Sequence, residues 1–126
     1  MGKIGLFSKE EQKKFDIEDK FENVQILVDS DRSKEAIAYI YLIYNDLMKH
    51  EYDKPRLAHQ TIREYAIKCV NDLDQNPGSV YTFIKKIEDI IYGGVEPTIP
   101  EINKTINLFS SLYQEITNKS FSYNIK

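Results

Sequence analysis

Apolar residues recur every three or four positions along most of the chain, the period at which one face of an α-helix returns. Phe15, Phe21, Val24, Leu27 and Val28 make the first stripe, which ends at Asp29-Ser30-Asp31. Val24 to Val28 also reads as a strand, but no second convincing strand is present to pair its backbone, so a helix is expected there. Ahead of it, Ser8 and Glu11 have capping-box spacing and predict the start of a first, mostly polar helix. From Ser33 to about Glu51 the apolar residues occupy nearly every face, the pattern of a helix at the centre of a bundle. Asp53-Lys54-Pro55 breaks it.

Thr61 to Glu64 is a second capping box, followed by Tyr65, Ala66, Cys69, Val70 and Leu73 at helical spacing. Asn76-Pro77-Gly78-Ser79 ends that helix and opens another, whose stripe is Val80, Phe83, Ile84, Ile87, Ile90 and Ile91. Gly93-Gly94 is expected to stop it through a left-handed glycine. Thr98 to Glu101 is a third capping box with Pro100 in its first turn, and Ile102, Ile106, Phe109, Leu112, Tyr113 and Ile116 form the last stripe. Connections this short favour antiparallel neighbours. The expected fold is therefore all-α, a single-domain up-down bundle of four to five helices. Within it, residues 1–30 are an N-terminal helical segment, 31–117 the helical core and 118–126 a flexible tail. In that tail Phe121, Tyr123 and Ile125 alternate, which suits an extended strand added to a partner's sheet edge, although fraying is favoured.

Composition narrows the function classes. The 126 residues carry 17 Lys+Arg against 20 Asp+Glu, a formal charge of −3 with the signs interleaved, so direct nucleic-acid binding through a basic face is disfavoured. The longest apolar run, Ala36 to Tyr44, is about half of the ~18 residues that suggest a membrane span. No signal-peptide pattern precedes Ser8, and the single cysteine suits a reducing compartment, so a cytoplasmic location is expected.

Catalytic patterns are missing. Cys69, four residues after Tyr65, reads as a small core thiol and not as a nucleophile. His50 and His59 flank the Glu51 to Ala58 connection without metal-ligand spacing, and Asp29, Asp31 and Asp53 read as cap and turn residues. Glu10-Glu11 and Glu88-Asp89 belong to solvated helix faces. Gly93-Gly94 follows a helix instead of preceding one, unlike a phosphate-binding loop. No catalytic residue, cofactor or metal ligand is assigned.

Nine tyrosines exceed what one bundle core is expected to bury, and an exposed tyrosine combines apolar area with a polar tip, which favours protein contacts. Arg32 with Ala36-Ile37, then Thr61-Ile62-Arg63-Glu64-Tyr65-Ala66, then Tyr92-Gly93 resemble motifs of a known family. That family is the uncharacterised C-terminal helical domain of prokaryotic transglutaminase-like (protein-glutamine gamma-glutamyltransferase-like) membrane proteins. Ile62 stands where the family has Pro, and the Cys, His and Asp of the transglutaminase domain are missing, so the resemblance implies a binding or scaffolding role and no enzyme activity. The leading expectation is a non-enzymatic adaptor that binds another protein through Arg63, Tyr65, Tyr92 and Tyr123. The alternative is an accessory factor of DNA replication or repair that touches a polymerase, clamp or nuclease. A homo-oligomer is also compatible with the wide apolar stripes.

Overall fold

The computed structural model describes residues 16–126. The capping box at Ser8 and Glu11, and Phe15, lie outside the described residues. Five helices follow in order: α1 (Ile17–Asp29), α2 (Ser33–Tyr52), α3 (Ile62–Leu73), α4 (Pro77–Tyr92) and α5 (Ile99–Thr117). Val24 to Val28 is helical, and no strand occurs among the described residues. The protein is all-α, one bundle in up-down arrangement.

Helix α2 is apolar on most faces because it is touched from most sides, packing against α1, α4 and α5. Helix α4 lies between α3 and α5. One aromatic ring from each helix joins them. Tyr65 of α3 meets Tyr44 of α2 with centroids 6.4 Å apart, Tyr44 meets Phe83 of α4 at 5.5 Å, Phe83 meets Phe109 of α5 at 6.0 Å, and Phe109 meets Phe21 of α1 at 5.6 Å. Tilted and edge-on pairs at such distances suit the ring quadrupole and add to the burial of large apolar surfaces.

The helix starts follow local chemistry. Thr61 accepts from the Glu64 N–H while Glu64 accepts from that of Thr61, and Thr98 and Glu101 do the same, so both boxes form as expected. Asn76 caps α4, with Pro77 in the first turn. Helix α2 is the exception: its cap residue Arg32 makes no side-chain cap bond, and the Lys34 N–H instead donates to Glu96 at 3.3 Å, across the molecule.

The left-handed corners are not glycines. Asp31, Asp53, Asp74 and Asn118 have φ of 64°, 56°, 56° and 62°, and these short polar side chains tolerate that region better than other residues with a Cβ. After α1 the corner is a Schellman turn, with Asp31 N–H donating to Val28 and Arg32 N–H to Leu27. The expected role of Gly93 is corrected: its φ is −75° and its ψ 163°, an extended conformation. Its need for glycine is steric, since a Cβ there would lie 2.5 Å from the Asp89 carbonyl oxygen.

The segment expected to be a flexible tail is seated instead. Residues 121–126 run back along α5 beside α1, with Phe121 and Tyr123 packed against the core and Ile125 buried. No helix among the described residues is long and apolar enough to cross a membrane.

Candidate functional site

Arg63 stands at the start of α3, turned toward α4. Its guanidinium donates to Glu88 Oε1 at 2.6 Å and lies over the Tyr81 ring, 5.6 Å from the centroid. Glu88 is therefore an ion-pair partner and not merely part of a solvated face. Tyr81, Glu88 and Tyr92 are separated by seven and four residues, so they share one face of α4. Arg63 and Tyr92 thus belong to a common surface.

Tyr65 does not belong to it, which corrects the expectation for that residue. It is 3% exposed, its ring packs on Tyr44, and its hydroxyl donates to the Lys54 carbonyl at 2.6 Å, fastening the connection between α2 and α3. Its position four residues before Cys69 puts both on the inner face of α3. Tyr123 lies elsewhere, half-buried with its ring 5.8 Å from that of Phe21. The four residues expected to bind a partner are divided between the α3/α4 face, the core and the terminal segment.

Tyr92 is 72% exposed and Val95 79%. The turn that carries them is held in place by Lys34, whose Nζ donates to the Gly93 carbonyl at 2.8 Å while its backbone N–H meets Glu96. Fixing the turn at both positions presents the Tyr92 ring and Val95 from a defined backbone. Lys34 and Glu96 carry no local sequence signal, because their meeting depends on how α2 and α4 pack.

Chemistry in the interior is restrained by burial. Loss of solvent raises the Cys69 thiol above its ordinary value, with the hydroxyls of Tyr44 and Tyr65 beside it. Tyr41 is pushed up to about 12, and Tyr44 and Tyr65 are raised further, chiefly by desolvation. These groups stay protonated at neutral pH, so the thiol is not presented as a thiolate nucleophile. A cavity of about 340 Å³ lies between the α2–α3 connection and α3, lined in part by Pro55, Leu57, Tyr65, Lys68 and Cys69. Lys68 is paired with Asp72 at its rim. His50 is bound to Glu51 at 3.1 Å, and His59 is exposed. No group of three or more His, Cys, Asp or Glu side chains could hold a metal ion among the described residues.

Gln75 was hidden from sequence reasoning. It is buried at the end of α3, accepts from the Tyr44 hydroxyl at 2.9 Å and turns its amide N–H toward Met48 Sδ at 2.8 Å. Tyr41 Oη and Asn45 Oδ1 are also buried, without a hydrogen-bond partner.

No family model matches the chain, and neither a curated protein nor a solved structure matches it.

Proposed function

We propose that the chain is a non-enzymatic helical accessory subunit that binds another protein through the face formed by Arg63, Glu88 and Tyr92, with Val95 on the adjoining turn. The carrying observation is the exposure of Tyr92 and Val95 on a turn that Lys34 clamps. An aromatic anchor on a backbone already fixed spares the ordering of that turn on binding, and aromatic and arginine side chains dominate binding energy at protein interfaces. The interleaved charge favours a protein over a phosphate backbone as partner, and the family resemblance supports an accessory role. A cytoplasmic setting accords with the single, buried thiol.

The test is a photo-crosslinking amino acid placed at position 92 or, as a control, at the exposed Lys104 of α5, in the native cell. The expected result is a discrete protein adduct from position 92 that persists after nuclease treatment and is lost when Val95→Asp is added. Identical adducts from both positions would overturn the proposal, and an adduct that nuclease removes would replace it with nucleic-acid association.

A further inference from the structure

The terminal segment is held as a recognised peptide is held. Phe121, Tyr123 and Ile125 face inward while Ser122, Asn124 and Lys126 face solvent, the alternation of an extended chain on a surface. Phe121 lies with its ring 4.8 Å from Phe21, 6.3 Å from Phe109 and 5.9 Å from Tyr113; Ile125 is 4% exposed.

The backbone is read as well. Asn103 of α5 uses both ends of its amide: Oδ1 accepts from the Ile125 N–H at 2.7 Å and Nδ2 donates to the Ile125 carbonyl at 3.3 Å. Gln25 of α1 does the same for Lys126, accepting at 3.0 Å and donating at 3.3 Å. Ser110 Oγ donates to the Phe121 carbonyl. From Ser110 to Asn103 is about 10 Å of helix, covered by the four residue-to-residue steps from Phe121 to Ile125, which sets a nearly extended chain antiparallel to α5. Two side-chain amides here take the place of a sheet edge. Alternate side-chain seats with backbone pairing constitute a strand-addition type of recognition without a sheet.

Residues 118–120 connect this segment to α5 and are exposed. Release of the segment would therefore require no helix to unfold, and the seat fits chemistry that every copy of the chain carries. We propose that the groove between α1 and α5 is a peptide-recognition site for an extended Phe-x-Tyr-x-Ile segment, filled here by the chain's own terminal segment and filled in a dimer by that of a second copy. Exchange of an identical element reproduces every contact, so the two arrangements differ mainly in the connecting residues and the cost of association. The local segment competes at high effective concentration, which keeps the dilute protein monomeric. This site is separate from the Arg63 and Tyr92 face and does not depend on it.

The experiment uses the full chain and a fluorescent peptide of residues 118–126. Ile125→Ser loosens the resident segment and leaves the groove intact, so this variant is expected to bind the peptide at least about tenfold more tightly than the unaltered chain. Adding Asn103→Ala is expected to remove most of that gain, and a peptide with Phe121 and Ile125 replaced by Ser is expected not to bind. Circular dichroism verifies the fold, and Ile125→Ala, a smaller change, replaces Ile125→Ser if the latter is unfolded at the assay temperature. Sedimentation of the unaltered chain is expected to show a dimer that grows with concentration, and that grows further when Lys119 and Ser120 are deleted, because the shortened connection disfavours return of the segment to its own groove. A folded variant that fails to bind the peptide, or binds it equally with and without Asn103, overturns recognition. A chain monomeric at every concentration, or a dimer fraction unchanged by deletion of Lys119 and Ser120, overturns exchange between copies.

Discussion

Where α2, α3 and α4 meet, the core contains tyrosine hydroxyls, the Cys69 thiol and the Gln75 amide. Where α1, α5 and the terminal segment meet, it is made mainly of the rings of Phe21, Phe109 and Phe121. Both sides are closely packed, but they respond to different physics. On the hydrocarbon side the cost of a change follows the volume removed. On the polar side it follows whether each buried oxygen keeps a partner, so chemically identical changes can differ severalfold in cost.

The comparison breaks most sharply at Phe109, which touches Phe21, Phe83, Tyr113 and Phe121. Phe109→Ala is expected to lower the unfolding free energy by about 3–5 kcal/mol, measured by urea titration. A loss below about 1 kcal/mol would mean that the aromatic side is not the volume-limited one.

The polar side is expected to fail first in alkali. Tyr41, Tyr44 and Tyr65 have folded pKa values raised above the ordinary value of 10 by burial, to about 12 for Tyr41 and higher for the other two. Between the unfolded and folded values the native state holds protons that the unfolded state has lost. Stability is thus fully present below about pH 10 and falls as pH rises from there toward the folded values, by up to about 4 kcal/mol per unit if all three contribute. Thermal unfolding followed from pH 8 to 11 tests this, and a midpoint unchanged across pH 10 to 11 would refute it.

A finer distinction separates two neighbouring tyrosines of α2. Tyr44→Phe deprives buried Gln75 Oε1 of its donor and is expected to cost about 1–3 kcal/mol. Tyr41→Phe removes a buried hydroxyl that lacks a well-formed hydrogen bond and has only the neighbouring Asn45 side chain to lose, and it is expected to cost less than about 1 kcal/mol. Equal losses at the two positions, measured in the same titration, would show that partner satisfaction does not govern this side. The smallest expected effects are local: Thr61→Ala and Thr98→Ala should each cost about 1 kcal/mol by removing one half of a capping box, with little effect on either core face.

These differences follow what the chain makes legible. The stripes at Val80 to Ile91 and Ile102 to Ile116 state their own helices, because a helical face repeats within a turn. The tyrosine and arginine assignments are less transparent. Tyr65 belongs to the stripe of Ala66, Cys69 and Val70 whereas Tyr92 stands at a helix end before Gly93-Gly94, and the structure follows that difference: one is fastened to Lys54 in the core and the other is exposed. The alternation of Phe121, Tyr123 and Ile125 was a visible signal of an extended segment, but its binding surface was not visible.

By itself the sequence determined the all-α class, the helical stripes between Phe21 and Ile116 and the helix starts at Thr61, Asn76 and Thr98, since periodicity and capping act between residues at most a few positions apart. Only the tertiary structure decided that Glu96 satisfies the start of α2, that Gln75 meets Tyr44 and that Gln25 holds Lys126, 101 positions away. Those contacts join groups whose sequence neighbourhoods carry no record of one another, and they come within hydrogen-bonding distance only after the helices have packed.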